Sequence, residues 1–233
     1  MKTVGLIGGM SWESTLTYYK IINEMVKKKL GGLHSGQIIL YSVDFEEIEK
    51  YQRNDEWDKS AQRLSEIALK LQMAGADFIV ICTNTMHKVA DRIAEKISIP
   101  IVHIAEAMAE LLLDNNIKKV ALLGTKYTMT EDFYKDKLLA RGIDILVPSM
   151  VDIDIVNEII YNELCLGIIS EKSRKEYQRI IMELENLGAQ GVILGCTEIG
   201  LLIKPEHSPI PVFDTTKIHA DKAVLMLLDE VVH

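Results

Sequence analysis

The sequence predicts an α/β protein with parallel sheet, and three observations carry that prediction. Short apolar, β-branched runs alternate with long helical patterns. The runs are apolar throughout rather than alternating, which suits strands covered on both faces. Finally, three blocks of the first half recur, in the same order, in the second.

The elements follow in order. "TVGLIG" at 3–8, "QIILYSV" at 37–43, "DFIVIC" at 77–82 and "IPIVHI" at 99–104 read as strands of the first half. "KVALLG" at 119–124, "GVILG" at 191–195 and "IPVFD" at 210–214 read as strands of the second. Between them lie helices such as 58–74, where Leu64, Ile67, Ala68 and Leu71 follow the spacing of one helix face. Gly75 then stands where a left-handed cap is expected. "YQRNDEWDK" at 51–59 reads as a solvated lead into that helix, with Gln52 or Arg53 able to fold over a site.

The repeat is explicit. "TVGLIGGMSWEST" matches "KVALLGTKYTMTE", placing Gly8 with Gly124. "GADFIVICTNT" matches "GAQGVILGCTE", placing Gly75 with Gly188, and the preceding Leu64, Ile67 and Leu71 with Tyr177, Ile180 and Leu184. "IPIVHIAEA" matches "IPVFDTTKI", placing Pro100 with Pro211. In this alignment Cys196 falls on Thr83, while Cys82 falls on Gly195. Neighbouring strand residues point to opposite faces, so Cys82 is expected to be a small buried hydrophobe. Cys165, in "YNELCLGI", reads as a helix-face residue.

Composition narrows the function. A net charge of −8 argues against nucleic acid or an anionic membrane as partner. No apolar stretch approaches the roughly 20 residues of a membrane helix, and no basic, apolar leader opens the chain. Three widely spaced cysteines make a poor disulfide framework, and no zinc spacing is present, so no metal is expected. The expectation is a reduced, cytoplasmic protein. "GLIGGMS" lacks both GxGxxG and a GK[ST] ending, which weighs against a nucleotide.

Ligands of open α/β sheets bind beyond the carboxyl ends of the strands. "CTNT" and "GCTE" occupy such ends, joined by "GGMS" at 8–11 and "GTKYT" at 124–128, which includes Thr125. Four polar loops from two related halves are expected to converge between them. Backbone N–H groups there, with Asn84, Thr85 and Thr197, suit a carboxylate or a developing enolate. A helix N-terminus lowers a thiol's pKa from about 8.5, making Cys196 a candidate base. Thr83 can relay a proton but does not ionise unaided. His87 is either an acid or a surface or capping residue.

"GLIGGMSWEST…YY", "CTNTMH", "LLGT…TM", "GCTEI" and "FDTTKIHA" together resemble the aspartate/glutamate racemases, a cofactor-independent family, over essentially the whole chain. The sequence looks most similar to the bacterial L-aspartate/glutamate-specific or broad-specificity branch. The resemblance implies two pseudo-twofold-related flavodoxin-like domains, 1–103 plus 212–233 and 104–211, with the C-terminal helix returning to the first. It also implies an active site between the domains, a homodimer, an amino-acid substrate and no pyridoxal phosphate. The family pattern places one catalytic cysteine before "NT" and one in "GCTE"; here Thr83 replaces the first and Cys196 matches the second. By resemblance, Met10, Gln52, Thr83, Asn84, Thr85, Thr197 and Glu198 surround the substrate. Many relatives carry a lysine where this chain has Leu166, which leaves room for uncharged side chains such as homoserine's.

The expected reaction is racemisation, with Cys196 as thiolate taking the α-proton and Thr83 serving the opposite face, favouring the L-to-D direction kinetically. Two alternatives share the fold. One is a single-cysteine decarboxylase of substituted malonates; the other is a non-catalytic amino-acid-binding relative.

Overall fold

The computed structural model describes residues 1–229; residues 230–233, which the expected first domain includes, lie outside the described residues. The chain divides into two compact units, Met1–Ile104 with the segment from His219 on, and Ala105–Ile218.

In the first unit, β1 (Thr3–Gly8), β2 (Gln37–Ser42), β3 (Phe78–Ile81) and β4 (Ile101–Val102) form a parallel sheet in the order β2-β1-β3-β4. In the second, β5 (Lys119–Gly124), β6 (Asp144–Leu146), β7 (Val192–Gly195) and β8 (Val212–Asp214) repeat it as β6-β5-β7-β8. The repeat extends to register. Ile7 pairs with Ile81 in one sheet as Leu123 pairs with Leu194 in the other. Likewise Ile79 pairs with Ile101 as Val192 pairs with Val212.

Three expectations need correction. β6 is absent from the sequence reading, because its three residues, one exposed and two half-exposed, are too few to show a period. The strand expected at 99–104 is only two residues long, since Ile104 already begins the helix Ile104–Asp114. Residues 212–218, expected in the first domain, belong to the second unit, because β8 hydrogen-bonds to β7.

Helix packing follows the sequence closely. In Trp57–Met73, Leu64, Ile67, Ala68 and Leu71 are buried, and Gly75 takes φ +99° behind it. Glu171–Asn186 buries Tyr177, Ile180 and Leu184 at the matched positions, with Gly188 at φ +95°. Each fully buried Leu or Ile contributes about 1.5–3 kcal/mol. Phe78 and Val80 of β3, and Cys82 just beyond it, join the core with Tyr18, Ala220 and Val224, whereas Ile79 and Ile81 join the core with Leu64 and Ile67. Adjacent residues therefore serve opposite faces. Among the described residues no helix is long and apolar enough to cross a membrane.

Candidate active site

Beyond β3 the backbone of "CTNT" is held group by group. The Cys82 amide donates to the Ile7 carbonyl at 2.9 Å, and the Thr83 amide to the Ile81 carbonyl at 2.8 Å. Ser14 Oγ donates to the Cys82 carbonyl at 3.0 Å. A 3-10 helix, Thr85–Val89, then sends the His87 amide to the Asn84 carbonyl at 3.0 Å, and the His87 ring takes the Thr83 carbonyl at 2.8 Å. Thr83 itself is half-buried, while Asn84 and Thr85 are buried beside it. Cys82 is buried in the core, as expected, and burial pushes its thiol far above the ordinary range. His87 is buried too, so the surface reading of it is corrected.

Beyond β7 the equivalent loop is built around an acid. Glu198, 7% exposed, accepts from Cys196 Sγ at 3.0 Å and from Thr197 Oγ1 at 2.6 Å, both at Oε2. The turn closes with the Ile199 amide on the Cys196 carbonyl at 3.2 Å. Cys196 is half-buried against the core of the second unit, where Cys165 also packs. Cys165 sits in a short 3-10 helix, Leu164–Leu166, rather than on a helix face.

This geometry corrects the expected low-pKa thiolate. The following helix, Ile199–Leu202, is one turn long, so its dipole is small. Burial, then the charge and hydrogen bond of Glu198, push the Cys196 thiol well above its ordinary range. Cys196 therefore favours the thiol, its S–H donating to Glu198 Oε2.

The other expected site residues are placed as follows. Gly9, at φ +89°, lets the β1 loop pass against the Val43 backbone; a side chain there would stand 2.2 Å from the Val43 carbonyl oxygen. Its amide donates to Thr15 Oγ1 at 2.8 Å. Met10 is buried in the core that contains Met86, and Gln52 Nε2 reaches Met86 Sδ at 2.9 Å. Gln52 is thereby buried near the "CTNT" helix rather than solvated, as its segment was expected to be. Thr125 caps the helix Lys126–Thr130, accepting from the Thr128 amide at 3.4 Å. The Thr197 hydroxyl donates to Glu198 Oε2 and is half-buried. Leu166 is 69% exposed.

Sequence reasoning missed two relations. Glu198 as proton acceptor for Cys196 was signalled only by their i, i+2 spacing in a turn. His87 as holder of the Thr83 carbonyl was signalled by i, i+4 spacing. Both needed the local backbone to be visible.

Comparison with known proteins agrees with this architecture. The chain is 55% identical to a candidate Asp/Glu racemase of Yersinia pestis, whose crystal structure superposes with a TM-score of 0.93 over 98% of this chain and 100% of that one. It is 38% identical to an aspartate racemase homologue of Pyrococcus horikoshii, with a TM-score of 0.85 over 99% and 100% of the two chains. The broad-specificity amino-acid racemase RacX of Bacillus subtilis is 22% identical, over 95% of this chain and 96% of that protein. The model of the Asp/Glu/hydantoin racemase family matches residues 7–223. The chain belongs to the Asp/Glu/hydantoin racemase family, and with it to the isomerases.

Proposed function

We propose that the protein racemises an amino acid, aspartate or glutamate, without a cofactor, with Cys196 serving one face of the α-carbon and Thr83 the other. The observation that carries this reading is the 3.0 Å contact from Cys196 Sγ to Glu198 Oε2. A half-buried thiol next to a carboxyl group is a poor standing thiolate but a competent proton pair. The thiol proton moves to Oε2, and Sγ takes the α-proton, leaving the charge on the substrate as an enolate. Asn84, Thr85 and backbone N–H groups supply donors for that charge, which is where preorganised dipoles act most strongly. A proton returns from the Thr83 side, and the hydroxyl is replenished from water; Glu198 then releases its proton to solvent.

Thr83 is intrinsically weaker than a thiol in this role. Because enantiomers are equal in free energy, kcat/KM must still be equal in the two directions. The asymmetry is confined to hydrogen exchange. The enantiomer whose α-hydrogen faces Cys196 exchanges it with retention; the other exchanges only with inversion.

A second substrate class has its own support. Leu166, Ile168 and Ile169 are all exposed, and an apolar segment at that position offers no cation for a side-chain carboxylate. An uncharged amino acid such as homoserine suits it. A chiral assay over acidic and uncharged amino acids decides between the two classes. Loss of inversion in Cys196→Ser with substrate binding retained supports the mechanism; unchanged turnover in that variant removes it. The homodimer and independence from pyridoxal phosphate belong to the same proposal, tested by sedimentation and by activity of protein lacking that chromophore.

A further inference from the structure

We propose that His87 is a positioning residue for Thr83: its buried ring fixes the Thr83 peptide and ties it to the backbone where the chain leaves the first unit. This rests on the reading of Thr83 as the second-face residue.

The ring is 3% exposed and uses both nitrogens on backbone groups. Nδ1 lies 2.8 Å from the Thr83 carbonyl oxygen, and Nε2 accepts from the Ile104 amide at 3.2 Å. A carbonyl only accepts, so Nδ1 carries the proton; Nε2 receives an N–H, so it does not. A single neutral tautomer satisfies both bonds.

The local backbone explains why a side chain is needed there. In an α-helix the His87 amide would bond to the carbonyl four residues back, that of Thr83. The 3-10 turn sends it to Asn84 instead, which leaves the Thr83 carbonyl for the ring. With Ser14 on the Cys82 carbonyl, the peptide groups on both sides of Thr83 are held by side chains.

The ring is itself braced. His103 stands edge-on at 4.7 Å between centroids and His219 at 5.5 Å. His219 accepts from Tyr18 at Nδ1, 2.8 Å, and donates from Nε2 to the Val102 carbonyl at 2.7 Å. Ile104 is the last residue before the chain leaves the first unit, and His219 is the first after it returns. Both crossings are thus tied, through His87, to the residue proposed to serve the second face. Packing alone would ask only for an apolar ring; two directed bonds to these backbone groups ask for histidine.

The test compares three variants by α-deuterium exchange and inversion in heavy water. His87→Leu fills space without either bond. His87→Asn keeps an N–H close to the Nδ1 position, and His87→Gln places its polar group towards Nε2. The expected result for His87→Leu is inversion slowed about tenfold to a hundredfold, with KM little changed. Exchange with retention through Cys196 persists, so the exchange-to-inversion ratio rises. His87→Asn recovers most of the inversion and His87→Gln does not. A parallel fall of exchange and inversion, or equal behaviour of Asn and Leu, overturns the positioning role. If His87→Leu does not fold, the Asn and Gln variants give the same comparison. Failure of the underlying reading looks different: wild-type protein then shows no exchange excess for either enantiomer, which overturns both.

Discussion

The ends of β3 and β7 occupy equivalent places in two sheets of the same order and register, yet their sulfurs have opposite fates. At the end of β3, Cys82 faces the core with Tyr18 and Ala220. At the end of β7, Cys196 stands one alignment position later, half-buried against the carboxylate of Glu198. A one-residue offset on a strand turns a side chain to the other face. The comparison teaches that motif content is a weaker guide than surroundings: both loops contain a cysteine and a threonine, yet one sulfur meets a carboxylate and the other the apolar core.

The largest expected effect separates the two sulfurs. Cys196→Ser should lower inversion about 10²–10⁴-fold, the range of a lost general acid–base group. Cys82→Ser should leave turnover intact while destabilising the fold by about 1–3 kcal/mol, because it buries a hydroxyl; steady-state kinetics and urea unfolding check the pair. Next comes Glu198→Gln, which removes the proton acceptor from one loop. Turnover at neutral pH should fall about 10²-fold. The residual rate should then climb roughly tenfold per pH unit as the thiol ionises to solvent, a profile absent from the wild type. Making the loops alike is the third route. Thr83→Cys supplies a thiol on the second face, and inversion should rise about tenfold while the excess of exchange over inversion disappears.

The smallest effect concerns stability, and it also divides the units. In the first, burial and the neighbouring His87 hold His219 down to about 3. Its folded value lies below its unfolded value, so its contribution is present above about pH 6.5 and lost as pH falls from there. The slope is about 1.4 kcal/mol per pH unit. In the second, the hydrogen bond from Arg179, aided by Ser149, holds the Asp152 carboxyl below its ordinary range. That contribution is lost only at lower pH, as Asp152 takes up its proton. Hydrogen exchange on acidification should therefore open the first unit before the second, and His219→Gln should narrow the gap.

Much of this was legible in the residues. The repeat, the buried faces around Leu64 and Tyr177, and the glycine caps at 75 and 188 were all readable, because periodicity and positive φ leave compositional marks. β6 was not, since three residues, none of them buried, carry no period. The direction of the Cys196 thiol's pKa was not legible for a physical reason: the sequence shows a strand end before an apolar run, but not that the helix there is a single turn. Within 51–59, otherwise read as solvated, Gln52 turns inward onto Met86, more than thirty residues away in sequence, a contact no local pattern shows.

The central claim, that Cys196 alone supplies the thiol for a two-faced proton transfer, is met most directly by following α-deuterium incorporation and optical rotation together, from each enantiomer in heavy water. One enantiomer should take up deuterium with retention at least about tenfold faster than it inverts, the other only as it inverts, and Cys196→Ser should abolish both. Equal behaviour of the two enantiomers, or exchange that survives in Cys196→Ser, would contradict the account.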